Sequence, residues 1–337
     1  RRVDGCGVGG YEAVSEQRER AYMQPNETMS KKFIITVDTE GDNLWNWRAG
    51  DSVSTENSRY IPRFQELCDK YGFKPVYLTN YEMACCDRFM DRAVEWQNNG
   101  ACEIGVHLHA WNNPPSYPLR KTYEGQDYLI EYPEEIMRAK FDAVYSLIKS
   151  KTGNTPPLVS HRAGRWAMNG VYFKILRDYG IKVDCSFTPG VDWSDNKGAS
   201  TGGTDYSKAS RTPVSIEGVL EVPMTIRRLR TWTKGSLKHK LKCLALSKHT
   251  WLRPAGHSLF EMKHVLATVA REEDTDYAEF MIHSSELMPA GSPYFRDKAD
   301  IDELYRDMDA LFARAVESGY EGCTLRDYER ERSVVSD

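Results

Sequence analysis

The chain has 337 residues, 40% of them hydrophobic, and a formal net charge of −4 at pH 7. This length and apolar content suit one barrel-sized α/β domain or two small ones. The small net charge argues against wholesale nucleic-acid binding, and no apolar run approaches the roughly 20 residues that a membrane-spanning helix needs.

The first 28 residues are Gly-rich and charged and lack apolar periodicity, whereas Met29 leads directly into a strand-like run. We expect residues 1–28 to be a disordered upstream extension and residues 29–337 to form a single domain. The eight cysteines follow no Cys-x-x-Cys or disulfide-scaffold spacing. They indicate a reducing, cytoplasmic compartment.

Short apolar runs predict buried strands along the chain, beginning with FIITV at residues 33–37. Similar runs lie at 74–78, 102–106, 158–160, 182–185, 219–222 and 280–282. Helical periodicity separates several of them, most clearly from Pro133 to Gly153 and over residues 298–318. This alternation predicts a parallel α/β sheet, and the number of units favours a (β/α) barrel over a small open sheet.

Two stretches interrupt the alternation. Residues 192–212 are rich in Gly, Ser, Thr, Asp and Lys and predict a long exposed loop. Residues 222–260 contain no acid, carry many Lys and Arg residues, and include Trp232 and Trp251. They predict a basic insertion, at about 224–260, that contacts a diphosphate, an anionic polysaccharide or an anionic membrane surface. A solvated helix face is the alternative.

Acids, histidines and arginines are concentrated in four segments, VDTEGD, EIGVHLHAW, HRAGRW and MIHSSE, three of which directly follow a strand-like run. Parallel α/β folds assemble their chemistry where strands end. Asp38 and Glu40 stand two residues apart, as do His107 and His109, so in an extended chain each pair points to one side. These four side chains are a candidate ligand set for Zn²⁺ or a similar ion, with one carboxylate left over as general base. Turn capping and ordinary hydrogen bonding are the alternative for each residue taken alone.

Arg162, Arg165 and His283 add further chemistry at predicted strand ends. A guanidinium there can keep a catalytic carboxylate ionised and orient it, although a surface salt bridge is an equal alternative for Arg165. A histidine at position 283, with Glu286 nearby, can protonate a leaving amine or alcohol. A structural or capping histidine is the alternative.

Taken in order, the segments resemble the motif series of the polysaccharide deacetylases, the NodB-homology or carbohydrate esterase family 4 enzymes, from about residue 32 to residue 328. The resemblance implies a distorted (β/α) barrel with about seven parallel strands. It implies a metal-dependent hydrolase that removes an acetyl or related acyl group from an amino sugar or polysaccharide precursor. The substrate would be a nucleotide-linked, lipid-linked or polymeric sugar, and the metal most simply Zn²⁺.

The resemblance also implies roles for individual residues. Asp38 would be the catalytic base, Arg162 its positioning residue and His283 the general acid. The expected metal ligands are Glu40, His107 and His109. The expected substrate-binding residues, the fourth and fifth of them from the motif-like segment VDCSFTPG, are Trp111, Arg165, Trp166, Asp184, Pro189 and Glu286.

The chain departs from that family's usual pattern at three places. Thr39 separates two carboxylates that are usually adjacent, Trp111 stands where a second histidine is usual, and Ser284 replaces an aspartate. We expect His109 to supply the missing ligand and the chain to represent a divergent branch linked to lipopolysaccharide or capsule biosynthesis. The alternatives are a glycoside hydrolase using the Asp-x-Glu pair, and a carbohydrate-binding protein on a decayed deacetylase scaffold.

Overall fold

The structure is a computed structural model that describes residues 30–42, 44, 51–119, 126–196, 198–199, 202–230 and 247–336. The expected extension at 1–28 and the centre of the basic insertion, including Trp232, lie outside the described residues. Lys31–Asp337 form one compact unit. In the described part of the chain, no helix combines the length and the apolar character needed to cross a bilayer.

A curled, mainly parallel sheet forms a half-barrel at the centre of this unit. In chain order the strands among the described residues are β1 (Lys32–Thr39), β2 (Val76–Thr79), β3 (Glu103–Leu108), β4 (Ser160–Ala163), β5 (Val183–Asp184), β6 (Val214–Ile216), β7 (Val219–Glu221), β8 (Ile226–Leu229), β9 (Lys248–Trp251), β10 (Tyr277–His283) and β11 (Glu321–Cys323). The spatial order is β10-β1-β2-β3-β4-β5-β7-β6, with β11 beside the first residues of β1. All pairs from β10 to β7 are parallel, which confirms the predicted α/β fold with about seven parallel strands.

Helices connect and cover these strands: α1 (Ile61–Lys70), α2 (Tyr81–Ala84), α3 (Asp87–Asn98), α4 (Glu134–Thr152), α5 (Gly170–Asp178), α6 (Leu259–Val269), α7 (Lys298–Glu317) and α8 (Leu325–Ser336). The two helices predicted from periodicity are α4 and α7. Helix α4 follows Pro133 and ends at Gly153, whose φ of 63° lies in the left-handed region that favours glycine. Helix α7 is capped by the Asp297 side chain, which accepts a hydrogen bond from Asp300 N at 2.9 Å.

Three strands extend beyond the apolar runs that predicted them. Strand β3 continues through His107, β4 contains Arg162, and β10 reaches back through Glu279. These polar side chains are buried, and each has a hydrogen-bond partner on another strand. An apolar pattern therefore underestimates the length of a strand whose buried face carries a polar network.

The described residues between 192 and 212 form neither a helix nor a named strand, and one isolated bridge joins Asp192 to Asp205, as expected of a long loop. In the basic insertion, β8 and β9 form an antiparallel pair. Trp251 is buried there, and its ring centroid lies 5.7 Å from that of Trp166. Trp251 therefore packs against other residues of the protein.

Candidate active site

The four chemistry-bearing segments meet at one edge of the sheet. Strands β10, β1, β2, β3 and β4 are consecutive neighbours. Their register pairs Asp38 with His283 across β1 and β10, and His107 with Arg162 across β3 and β4. Because the carboxyl ends of parallel strands lie at the same edge, segments more than 200 residues apart converge on one site.

Glu40, His107 and His109 form a buried group whose ligand atoms all lie within 4.8 Å of one another. His109 Nε2 lies 2.8 Å from Glu40 Oε2 and 3.0 Å from His107 Nε2. The distance from His107 Nε2 to Glu40 Oε2 is 3.4 Å. One carboxylate and two imidazoles are a donor set that catalytic zinc sites use, with a further position left open.

The surroundings of this group orient it for a divalent cation. His107 Nδ1 lies 2.9 Å from the carbonyl oxygen of Arg162, so a proton on Nδ1 donates to that carbonyl and Nε2 keeps its lone pair. Gly164 permits the position of His109, because a Cβ atom there would lie 2.7 Å from His109 Nδ1 and 2.4 Å from the Leu108 carbonyl oxygen. The residues present therefore fit a metal ion.

Ser284, which stands where the resembled family usually has aspartate, fixes the backbone of Glu40. Glu40 N–H donates to Ser284 Oγ at 3.0 Å, and this hydroxyl donates to the Glu40 carbonyl oxygen at 3.2 Å. Asn57 Nδ2 donates to the same carbonyl at 2.7 Å. The altered residue thus ties the end of β10 to the carboxylate that follows β1.

The negative charge of the group favours a cation. Burial opposes ionisation of Glu40, but His109 and His107 outweigh it and hold the pKa of the carboxyl well below its usual range. Burial lowers the pKa of His109 and so favours its neutral, metal-binding form. Burial also opposes protonation of His107, but Asp38 and Glu40 raise its pKa, which reflects the negative field at this position.

Asp38, two residues before Glu40, is paired with Arg162. Arg162 Nη1 donates to Asp38 Oδ1 at 2.6 Å, and both side chains are buried. Burial opposes ionisation of Asp38, but Arg162, with His107 and His283, holds its pKa below the usual value. Asp38 is therefore a carboxylate at neutral pH.

Trp166 covers the guanidinium of Arg162, which lies 5.1 Å from its ring centroid. Arg165 and Trp166 have φ angles of 54° and 62°, in the left-handed region that non-glycine residues seldom adopt. Each costs about 1–3 kcal/mol of backbone strain. This strained 3-10 turn directly after β4 places the indole over the ion pair.

His283 faces Asp38 across a gap. The distance from His283 Nε2 to Asp38 Oδ2 is 3.8 Å, which is too long for a direct hydrogen bond. On the opposite edge of the imidazole, Nδ1 lies 3.2 Å from Glu286 Oε1, and Arg253 Nη2 lies 3.4 Å from the same oxygen. Glu286 thus orients His283 with Nε2 toward Asp38.

Two of the expected substrate-binding residues are fully buried in the structure. Glu286 is fully buried beneath His283, which leaves it no surface for a substrate. Asp184 is also fully buried, with its Oδ1 2.6 Å from His161 Nδ1 and 2.9 Å from Ser186 Oγ. The histidine belongs to β4, the strand that pairs with β5 at this point, so Asp184 is hydrogen-bonded within the sheet.

Of the remaining expected substrate-binding residues, Trp111 and Trp166 contact residues of the site. The Trp111 ring packs against His109, with ring centroids 4.3 Å apart. Pro189 is buried. The Arg165 guanidinium lies 4.0 Å from the Tyr128 ring centroid, over that ring. Trp111 and Trp166 are thus the expected aromatic residues nearest to the metal group and to the ion pair.

Glu279 was missed by sequence reasoning. It is fully buried on β10, and its carboxylate accepts a hydrogen bond from Arg162 Nη2. The available signal was a charged residue inside the otherwise apolar strand YAEFMIH. A buried strand seldom retains an acid without a buried cation to pair with it.

No protein-family model and no curated protein matches this chain. Among solved structures, a protein assigned as a polysaccharide deacetylase from Mycobacterium smegmatis is 12% identical over 91% of this chain and 92% of its own, with a TM-score of 0.51. The 4-alpha-glucanotransferase of Thermococcus litoralis is 10% identical over 89% of this chain and 40% of its own, with a TM-score of 0.53. A family 4 carbohydrate esterase from Streptomyces lividans, solved with acetate, is 10% identical over 87% of this chain and 91% of its own, with a TM-score of 0.41. The first two similarities show a shared fold.

Proposed function

We propose that this protein is a metal-dependent hydrolase that releases acetate, or a related acyl group, from an amino sugar or a polysaccharide precursor. One observation carries the proposal. A buried Glu/His/His group lies beside an ionised carboxylate, Asp38, and a histidine, His283, whose reactive atoms are separated by 3.8 Å. A base and an acid flanking a Lewis-acid position are the parts that hydrolysis of an amide requires.

Glu40, His107 and His109 would hold the divalent metal, and their donor types favour Zn²⁺. When bound, the metal supplies polarisation of the acyl carbonyl and activation of the attacking water. Asp38 accepts the proton of that water at Oδ2, because Oδ1 is engaged by Arg162. His283 donates a proton from Nε2 to the departing nitrogen, while Glu286 holds its Nδ1.

The glycoside hydrolase alternative requires one carboxyl group with a raised pKa to act as the acid. In the Asp38–Glu40 pair, both pKa values are lowered. Both carboxylates are also engaged, Asp38 by Arg162 and Glu40 by His109. The pair therefore favours a charged base beside a metal ligand over an acid and a nucleophile.

Acetate release by wild type and Asp38→Asn tests the proposal. The substrates are nucleotide-linked, lipid-linked and polymeric N-acetyl sugars, which together cover the surface-polysaccharide precursors that the sequence resemblance suggests. We expect kcat on the accepted substrate to fall by about 10³-fold in the variant, since a positioned general base contributes about 10²- to 10⁴-fold. The circular dichroism spectrum should be unchanged. Full activity of Asp38→Asn, or no acetate release by metal-loaded wild type from any of these sugars, would overturn the proposal.

A further inference from the structure

Glu279 is a buried carboxylate that the proposed reaction does not use. It lies on β10, four residues before His283, and is 0% exposed. Its Oε1 accepts hydrogen bonds from Arg162 Nη2 and from Thr36 Oγ1, the latter at 2.8 Å. Two carboxylates on neighbouring strands, Asp38 on β1 and Glu279 on β10, therefore share one buried guanidinium.

The two carboxylates engage different nitrogens of Arg162. Nη1 donates to Asp38 Oδ1, whereas Nη2 donates to Glu279 and to Thr36 Oγ1, the latter at 2.8 Å. Arg162 Nε donates to the Cys185 carbonyl oxygen at 3.1 Å. Because a guanidinium is planar, fixing Nη2 and Nε fixes the direction in which Nη1 meets Asp38.

The charges around Glu279 make its burial energetically costly. Arg162 on β4, Asp38 on β1, Cys185 after β5 and Glu221 on β7 all interact with it electrostatically. Asp38 alone would neutralise the guanidinium, so the second carboxylate adds uncompensated negative charge to a dry region. Burial accordingly raises the pKa of Glu279 to about 7, although Arg162 opposes this shift.

We propose that Glu279 is a positioning residue for the catalytic base. It fixes the plane of the Arg162 guanidinium, and through Arg162 it holds the Asp38 carboxylate in its reactive orientation. This role rests on the proposed function, because it assumes that Asp38 is the base.

The kinetic test compares Glu279→Gln, which keeps an oxygen acceptor for Arg162 but removes the charge, with Glu279→Leu, which removes both. We expect kcat for acetate release to fall about tenfold in the first and about 100-fold in the second, with KM and bound metal within about twofold of wild type. The matched control is Glu221→Gln. Glu221 is equally buried, on β7, and burial raises its pKa well above the usual range, so a neutral side chain should leave kcat unchanged. Unchanged kcat in both Glu279 variants, or a raised KM, would overturn the positioning role.

Unfolding by urea tests the shared guanidinium independently of activity. Each of the single variants Asp38→Asn and Glu279→Gln leaves one carboxylate on Arg162, whereas the double variant leaves none. We expect the unfolding midpoint of the double variant to fall by more than the sum of the two single shifts. The control pair, Asp38→Asn with Glu221→Gln, should be additive. Additivity in the Asp38–Glu279 pair overturns the inference, whatever the activity. Non-additivity together with a wild-type protein that releases no acetate would instead identify the proposed function as the part that fails.

Discussion

Two buried clusters of histidine and carboxylate lie on neighbouring strands of this sheet. Among the described residues, only one of these clusters brings ring nitrogens and a carboxylate oxygen together at a position that a metal ion could occupy. In the first, His107 and His109 direct Nε2 atoms toward each other and toward Glu40. In the second, His161 has both ring nitrogens engaged, Nδ1 by Asp184 and Nε2 by the Tyr172 hydroxyl at 2.8 Å. Composition is thus nearly equal, and the direction of the lone pairs distinguishes a candidate metal site from a structural network.

The clusters also differ in how they hold negative charge. In the first, His109 and His107 keep Glu40 ionised despite its burial. In the second, the hydrogen bond from His161 holds the pKa of Asp184 low against burial, whereas burial and Asp184 raise that of Glu221. One negative charge and one neutral carboxyl remain there. The negative charge of the second cluster is therefore held by hydrogen bonds from His161 Nδ1 and Ser186 Oγ, whereas in the first cluster the carboxylate and two imidazoles bring their ligand atoms together.

The largest expected effect distinguishes the clusters by metal content. Glu40→Gln, His107→Asn and His109→Asn should each lower the affinity for Zn²⁺ by at least about 100-fold, since each removes one of three protein ligands. Metal analysis after dialysis measures this loss. His264→Asn, which changes a histidine on α6 outside the group, is the control and should bind as much metal as wild type. Unchanged metal content in all three ligand variants would show that the group binds no metal.

A substitution at Gly164 should damage the first cluster without changing a ligand. In Gly164→Ala, the added Cβ would lie 2.4 Å from the Leu108 carbonyl oxygen, so β3 and His109 must shift. We expect a loss of about 1–3 kcal/mol in the free energy of unfolding and a decrease in metal affinity of about tenfold or more. Urea unfolding and metal titration measure the two effects. Gly170→Ala is the matched control, because no atom lies within 4 Å of its added Cβ.

The pH dependence of stability should show the effect of two buried carboxyl groups that lie outside the metal group. Glu221 and Glu279 both have folded-state pKa values raised above the unfolded value of about 4.5. In this window the folded state retains a proton that the unfolded state has lost, so each group makes wild type less stable as pH rises. Relative to wild type, Glu279→Gln should gain stability from about pH 4.5 to about pH 7. Glu221→Gln should also gain stability relative to wild type as pH rises above about 4.5, because burial and Asp184 raise its pKa well above the usual value. Urea midpoints across this range measure both gains, and parallel curves for both variants and wild type would contradict the prediction.

The smallest effect is expected in the second cluster. Tyr172→Phe removes the hydroxyl group at His161 Nε2 and leaves the ring in place. We expect a loss of about 1–2 kcal/mol in the free energy of unfolding, with metal content and acetate release unchanged. Thermal and urea unfolding measure the stability, and a loss of bound metal in this variant would contradict the distinction between the two clusters.

Much of the scaffold could be predicted from the sequence. Short apolar runs marked the seven parallel strands from β10 to β7, although not β11, and apolar periodicity with terminal Pro and Gly marked α4 and α7, because these signals are local. The strand-end positions of Asp38, His107 and His283 also followed from local patterns. The partners of polar residues within strands did not. Glu279 and Asp184 stand in segments whose alternation is equally compatible with an exposed groove or a buried network.

The sequence by itself therefore determined the places along the chain of the seven parallel strands from β10 to β7, the helices with strong periodicity and the chemical types available at several strand ends. Only the tertiary structure decided which of them meet. Strand order and register place His107 beside Arg162 and Asp38 beside His283. They also place Glu279 against Arg162, and Asp184 against His161. These contacts depend on pairing between strands far apart in the chain, which no local pattern of residues specifies.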